Sequence, residues 1–161
     1  MHRVAQFVAH VRARVAPDEA AFARRVLPPD AAILFDGMPV ADRRHALDVS
    51  GRLLAAGNDD PHVLAAALLH DVAKGHRMRL WHRVAGVLLE AFAPGTLRRL
   101  ASRDPTSWRH PFHLYLHHAE LSAEMAVAAG CSERTAALIR GQAAGADARL
   151  QRALDDADDA S

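Results

Sequence analysis

His70 and Asp71 stand side by side after the apolar run Val63–Leu69, with Lys74 three residues on and Gly75 closing the stretch. An imidazole and a carboxylate buried together are costly unless each is paired or bound to a cation. No salt-bridge partner stands among their neighbours, and one metal ion satisfies both groups, so the stretch reads as the centre of a metal site on a helical scaffold. Adjacent residues on a helix point about 100° apart. Both can reach one ion only over their shared edge, near a helix C-terminus whose partial negative charge favours a cation. A third ligand has to come from another helix. His45 is the best placed, because its helix directly precedes the His70 helix and is expected to pack antiparallel to it. The final donor should be an oxygen from the C-terminal segment. Lys74 is the only lysine in a chain that otherwise writes its positive charge as arginine. Either this position requires a compact ammonium rather than a planar fork, or the placement is chance.

The elements that must hold these groups are helical. Val4, Phe7, Val8, Val11 and Val15 recur at helical spacing. Pro17, followed by Asp18 and Glu19, opens a second helix reaching about Val26, and Ile33–Phe35 form a short third one. From Asp42 an apolar face (Leu47, Val49, Leu53, Leu54) runs to a stop at Gly57, with His45 near its start. Asn58–Pro61 supplies turn, cap and first-turn proline for the helix that ends in His70 and Asp71. A basic loop follows (His76, Arg77, Arg79), then helices over Trp81–Phe92 and Phe112–Ala129, with one or two turns around Leu97 and Leu100 between them. Ser132 caps a helix carrying Ala136, Leu138 and Ile139, and a last segment, roughly Ala146–Ala157, runs into an acidic tail, Asp155–Asp159. Strand-type alternation is absent. The reading is all-α, a compact single-domain helical bundle over 1–161, with 1–40 as N-terminal packing helices and 42–161 as the metal-binding core.

Composition sets the outer limits. At 161 residues and 50% hydrophobic, the chain can bury one full core. Its net charge of +1 gives no overall field to draw nucleic acid or an acidic membrane surface. The single cysteine, Cys131, excludes an internal disulfide and reads as a buried apolar residue. No secretory signal pattern and no run near the ~20 apolar residues of a spanning helix appears, which leads us to expect a cytoplasmic protein.

Together, His45, the run Leu68-Leu69-His70-Asp71-Val72-Ala73-Lys74 and the late Ala157-Asp158 resemble the HD-domain metal-dependent phosphohydrolases, whose signature is one histidine, a His-Asp pair and a distant aspartate. His118-Ala119-Glu120-Leu121-Ser122-Ala123-Glu124, followed by Ala129-Gly130-Cys131-Ser132, is similar to the later helix pair of that superfamily. Trp81-His82-Arg83-Val84-Ala85 is similar to a feature of small bacterial HD proteins. The likeness extends from about Asp42 to the C-terminal end. It implies a bundle of HD-domain type in which His45, His70, Asp71 and Asp158 bind one divalent cation. Two imidazoles and two carboxylates suit Mn, Fe, Co, Ni or Mg better than a closed structural zinc. Some branches add a second metal through three further histidines. His118 stands at the first of those positions, but Ile139-Arg140-Gly141-Gln142 occupies the place of the remaining His-His pair, and Gln142 is a poor substitute.

The activity implied is hydrolysis of a phosphate ester or anhydride of a nucleotide or related small phosphate compound by metal-activated water. Asp71 would orient that water or accept its proton, and Lys74 would offset charge growing on the phosphoryl oxygens. Arg77, Arg79 and His118 are available for the rest of a polyanionic substrate. Plainer readings compete residue by residue. His45 alone is as well explained as a hydrogen-bonded histidine, Asp158 as part of a solvated tail with Asp155 one turn away, and Trp81 and Trp108 as packing residues. His110, His113 and His117 read as surface decoration. A catalytically degenerate module that binds a metal, a nucleotide or a protein partner is the alternative function, favoured by the missing His-His pair. An iron-dependent oxygenase on the same scaffold needs a richer ligand set than this chain offers.

Overall fold

In the computed structural model, which describes residues 14–76 and 78–161, the described residues form nine α-helices and no strand. These are α1 (Pro17–Val26), α2 (Pro29–Asp36), α3 (Val40–Ala55), α4 (Pro61–Leu69), α5 (Leu80–Phe92), α6 (Pro94–Leu100), α7 (His110–Ala128), α8 (Glu133–Ile139) and α9 (Ala148–Asp159). Short 3-10 turns cover Val72–Lys74 and Gly145–Asp147. The fold is the expected all-α bundle. The expected helix through Val4, Phe7, Val8 and Val11 lies outside the described residues; Val15, its last member, packs against the core.

Seven consecutive residues, Val63–Leu69, are buried, and a helix that is apolar all round must be enclosed by others. Helices α1, α2, α3, α7, α8 and α9 all pack on α4. Leu68 and Leu69 are fully buried, each contributing about 1.5–3 kcal/mol through removal of apolar surface from water. The start of α4 is fixed by Asp60, whose Oδ1 accepts the His62 N–H at 2.8 Å, with Pro61 at the first helical position.

The end of α4 differs slightly from the sequence reading. The α-helix stops at Leu69, and His70 is its C-cap. Asp71 leaves helical geometry at φ −107° and ψ 5°, and the chain tightens into the 3-10 turn before Gly75. Gly75 has φ 52° and ψ −170°, a backbone conformation open to glycine and strained for any residue with a Cβ. His70 and Asp71 therefore do not project from a continuing helix. A bend between them turns both side chains to the same side. The turn is braced from α7, where Ser122 Oγ, fully buried, accepts the Ala73 N–H at 3.1 Å.

The C-terminal segment is also more ordered than an acidic tail. Helix α9 continues to Asp159 with Gln151, Leu154 and Ala157 buried, so Asp158 occupies the last turn of a docked amphipathic helix. Helix α9 packs against α3 and α4, the two helices that carry the histidines.

Candidate metal centre

His45 in the second turn of α3 and His70 at the end of α4 come within 5.3 Å, ring centroid to ring centroid. The beginning of one helix thus meets the end of the other, which is the antiparallel packing expected from their short connection. Asp158 closes the group. Its Oδ1 lies 2.8 Å from His45 Nε2 and 3.5 Å from His70 Nε2. One ligand atom from each of the three residues lies within 4.8 Å of the other two. Asp155, the competitor one turn earlier, is exposed and accepts a hydrogen bond from Gln151 Nε2 at 2.8 Å instead.

The tautomer of His70 follows from its other nitrogen. Nδ1 lies 2.9 Å from the Ala67 carbonyl oxygen, which can only accept, so Nδ1 carries the hydrogen. Such a bond orients a ligating imidazole and leaves its Nε2 lone pair for a cation. His70 Nε2 is buried and has no hydrogen-bond partner, and neither does Asp71 Oδ1, 3.7 Å away. Contrary to the sequence reading, Asp71 does have a salt-bridge partner among its neighbours: Lys74 Nζ, three residues on, stands 2.6 Å from Oδ1 and 2.7 Å from Oδ2 and donates a hydrogen bond to Oδ2. Buried polar atoms are rarely left unpaired. Two of them facing one another beside Asp158 are what a bound cation would satisfy. Donors about 2.1 Å from a common ion stand about 3–4 Å apart, close to the spacings of 2.8, 3.5 and 3.7 Å found here.

Electrostatics keep the carboxylates charged. For Asp71, burial works against ionisation, but the His70 charge, the Lys74 charge and hydrogen bond, and His118 outweigh it, and its pKa is lowered. The His45 imidazole at 2.8 Å, then the His70 imidazole at 3.5 Å, likewise hold the Asp158 carboxyl well below the usual range, against a smaller effect of burial. For His70, burial opposes protonation, yet the two aspartates prevail and raise its pKa.

Other sequence-derived candidates separate clearly. His118 on α7 faces the same carboxylate, with Nε2 3.9 Å from Asp71 Oδ1 and Nδ1 directed at the Tyr115 carbonyl at 2.9 Å. Burial, then the neighbouring Lys74, lowers its pKa below the ordinary histidine value. Gln142 is exposed beyond the end of α8 and does not line the cleft, so it joins no ligand set. Arg79 is the N-cap of α5 and lines a different cleft, with Trp81 and Trp108, away from the three-residue group. Arg77 lies outside the described residues.

The cleft over the site, about 240 Å³, is walled by His70, His118, Leu138, Arg140, Leu154 and Asp158, among others. Arg140 and the buried Gln151 are lining residues that sequence reasoning did not assign. Arg140 is held by Glu120 at 2.9 Å. Its only sequence signal is its place just before Gly141-Gln142, where the late His-His pair would stand. No family model, curated protein or solved structure matches the chain.

Proposed function

We propose that the chain is a metal-dependent phosphohydrolase of HD type acting on a small phosphate ester or anhydride. The observation that carries the reading is the meeting of His45, His70 and Asp158, whose ligand atoms all lie within 4.8 Å of one another, with the buried Asp71 Oδ1 3.7 Å from His70 Nε2. His45, His70, Asp71 and Asp158 would hold the cation, and the mixed nitrogen–oxygen set suits Mn, Fe, Co, Ni or Mg. When bound, the cation supplies Lewis acidity toward a phosphoryl oxygen and makes a water more acidic.

The remaining work belongs to the chain itself. The Ala67 carbonyl fixes the His70 ring. Asp71, kept ionised and buried behind His70, offers Oδ1 as a ligand and proton acceptor. The Lys74 ammonium offsets negative charge on the phosphoryl group, and Arg140 stands at the cleft wall as a second cation. Leu138 and Leu154 keep water from one side. A volume of about 240 Å³ is below the usual range for a drug-sized ligand. It favours a small phosphate compound, or a larger one with only its phosphate end inside.

Purified protein should hydrolyse a generic aryl phosphate, or a member of a nucleotide panel, with Mn present. His70→Ala and Asp71→Ala should each lose that activity. Metal bound at the site with no turnover on any substrate would favour the binding-module reading, which the exposed, non-ligating Gln142 supports.

A further inference from the structure

We propose that the outer face of α5, with Trp108 beside it, docks on an anionic lipid bilayer surface. This surface is independent of the metal site. Helix α5 turns its apolar stripe away from its own bundle. Trp81, Val84, Leu88 and Phe92 follow helical spacing and are exposed, Phe92 to 83%. The opposite face carries the buried His82 and Gly86, with the exposed Glu90 at its edge. At Gly86 an added Cβ would stand 2.7 Å from the Tyr115 ring, so α5 is pressed against α7 there. Glu90 accepts the Tyr115 hydroxyl hydrogen bond at 2.7 Å. The apolar residues are thus outside because the opposite face is the one that docks, and α5 cannot roll over without breaking the Gly86 contact.

Trp108 extends the patch. It is 65% exposed and packs edge-on to Phe112 at 6.4 Å, and Trp81 meets the same ring at 6.2 Å. Both tryptophans of the chain therefore lie here, packed on Phe112 at the surface rather than enclosed in the core. Such a patch on a protein surface marks an interaction site.

Charge selects the partner. Residues 76–110 hold seven arginines against two carboxylates, Glu90 and Asp104, and with Arg83 neutralised by Asp42 the stretch still carries +4 in a chain whose total is +1. The overall charge conceals this asymmetry. Arg79 at the start of α5, Arg98 and Arg99 in the last turn of α6, and Arg103 are exposed and form no ion pair with any described residue. An exposed Trp, Leu and Phe stripe flanked by arginines is the chemistry of an interfacial helix on anionic lipid.

The test compares the full chain with vesicles of phosphatidylcholine alone and of phosphatidylcholine mixed with phosphatidylglycerol, by cosedimentation and tryptophan emission. Binding to the anionic vesicles, weakened by salt and accompanied by a blue shift of the two tryptophans, is expected. The double variant Leu88→Glu/Phe92→Glu should abolish it, with helix content and Tm unchanged because both side chains are exposed. Arg98→Gln/Arg99→Gln should weaken it about 30-fold. Failure to bind anionic vesicles overturns the proposal, as does binding that neither variant alters. Self-association without lipid, lost in Leu88→Glu/Phe92→Glu and accompanied by no vesicle binding, would give the face to a second copy of the chain.

Discussion

Lys74 separates binding from chemistry at the level of single residues. It touches Asp71 but none of His45, His70 or Asp158. Lys74→Met should lower kcat on an aryl phosphate by about 10²–10³-fold, the effect of removing one charge-stabilising donor. Mn affinity, read by calorimetry, should change far less. Asp158→Ala should do the opposite and remove metal binding first, because Asp158 joins the two histidines. Equal losses of metal affinity in both variants would contradict this division. Asp71 and Lys74 were legible from their neighbourhood in the sequence. Arg140 was not, since nothing in its spacing distinguishes a cleft arginine from a solvated one.

At the scale of elements, the helices were readable because capping chemistry is local. Asp60 with Pro61 and Ser132 at α8 both cap as their types suggest, Ser132 Oγ accepting the Thr135 N–H at 3.1 Å. What escaped was long-range: the outward stripe of α5, and the Ser122 brace on the turn that carries Asp71. Ser122→Ala should cost about 1 kcal/mol in urea unfolding and also lower activity, as the turn loses its hold from α7. Unchanged activity would show that the turn stands by itself. The histidine ladder of α7 makes a pH prediction. His113 stacks 4.5 Å from His117 and 5.8 Å from His110, centroid to centroid. Burial first, then these neighbours, lower the pKa of His113 below its ordinary value of 6.5. The unfolded chain accordingly takes up its proton first as pH falls. Stability is full above pH 6.5 and is lost as pH drops from there through the lower folded-state value. In metal-free protein the raised pKa of His70 works the other way, so the His113 part is read by difference: between pH 7.5 and 5.5 His113→Gln should lose less Tm, or gain more, than the parent chain.

For the whole molecule, two linkages reach beyond the helices that contain them. Asp42, in the first turn of α3 and three residues from His45, is buried, and Arg83 Nη2 on α5 contacts both its oxygens, at 2.7 and 2.8 Å. Arg83→Met leaves that carboxylate unpaired and should cost about 3–5 kcal/mol. Divalent cation is the second linkage. At one hundred times its Kd it should add about 2.7 kcal/mol to the unfolding free energy, raising Tm by roughly 5–11 °C for a chain of this size. Chelator should reverse the shift, and His70→Ala should abolish it. Absence of any cation effect on Tm would count against the metal centre itself. Sequence sufficed for the all-α architecture because apolar periodicity reports local structure. Periodicity alone could not choose Asp158 over Asp155, which lies less than one turn away; the resemblance named Asp158, and the docking angle of α9 is what brings it to the histidines.

The enclosure of Val63–Leu69 on every side governs how the molecule opens. Backbone amides in such a segment reach solvent only when neighbouring helices come away together, so they should be the slowest to exchange with deuterium. His70 is attached directly to that segment. The ligand geometry should therefore outlast the fraying of peripheral helices such as α5 and α6, and disappear only when the bundle as a whole comes apart.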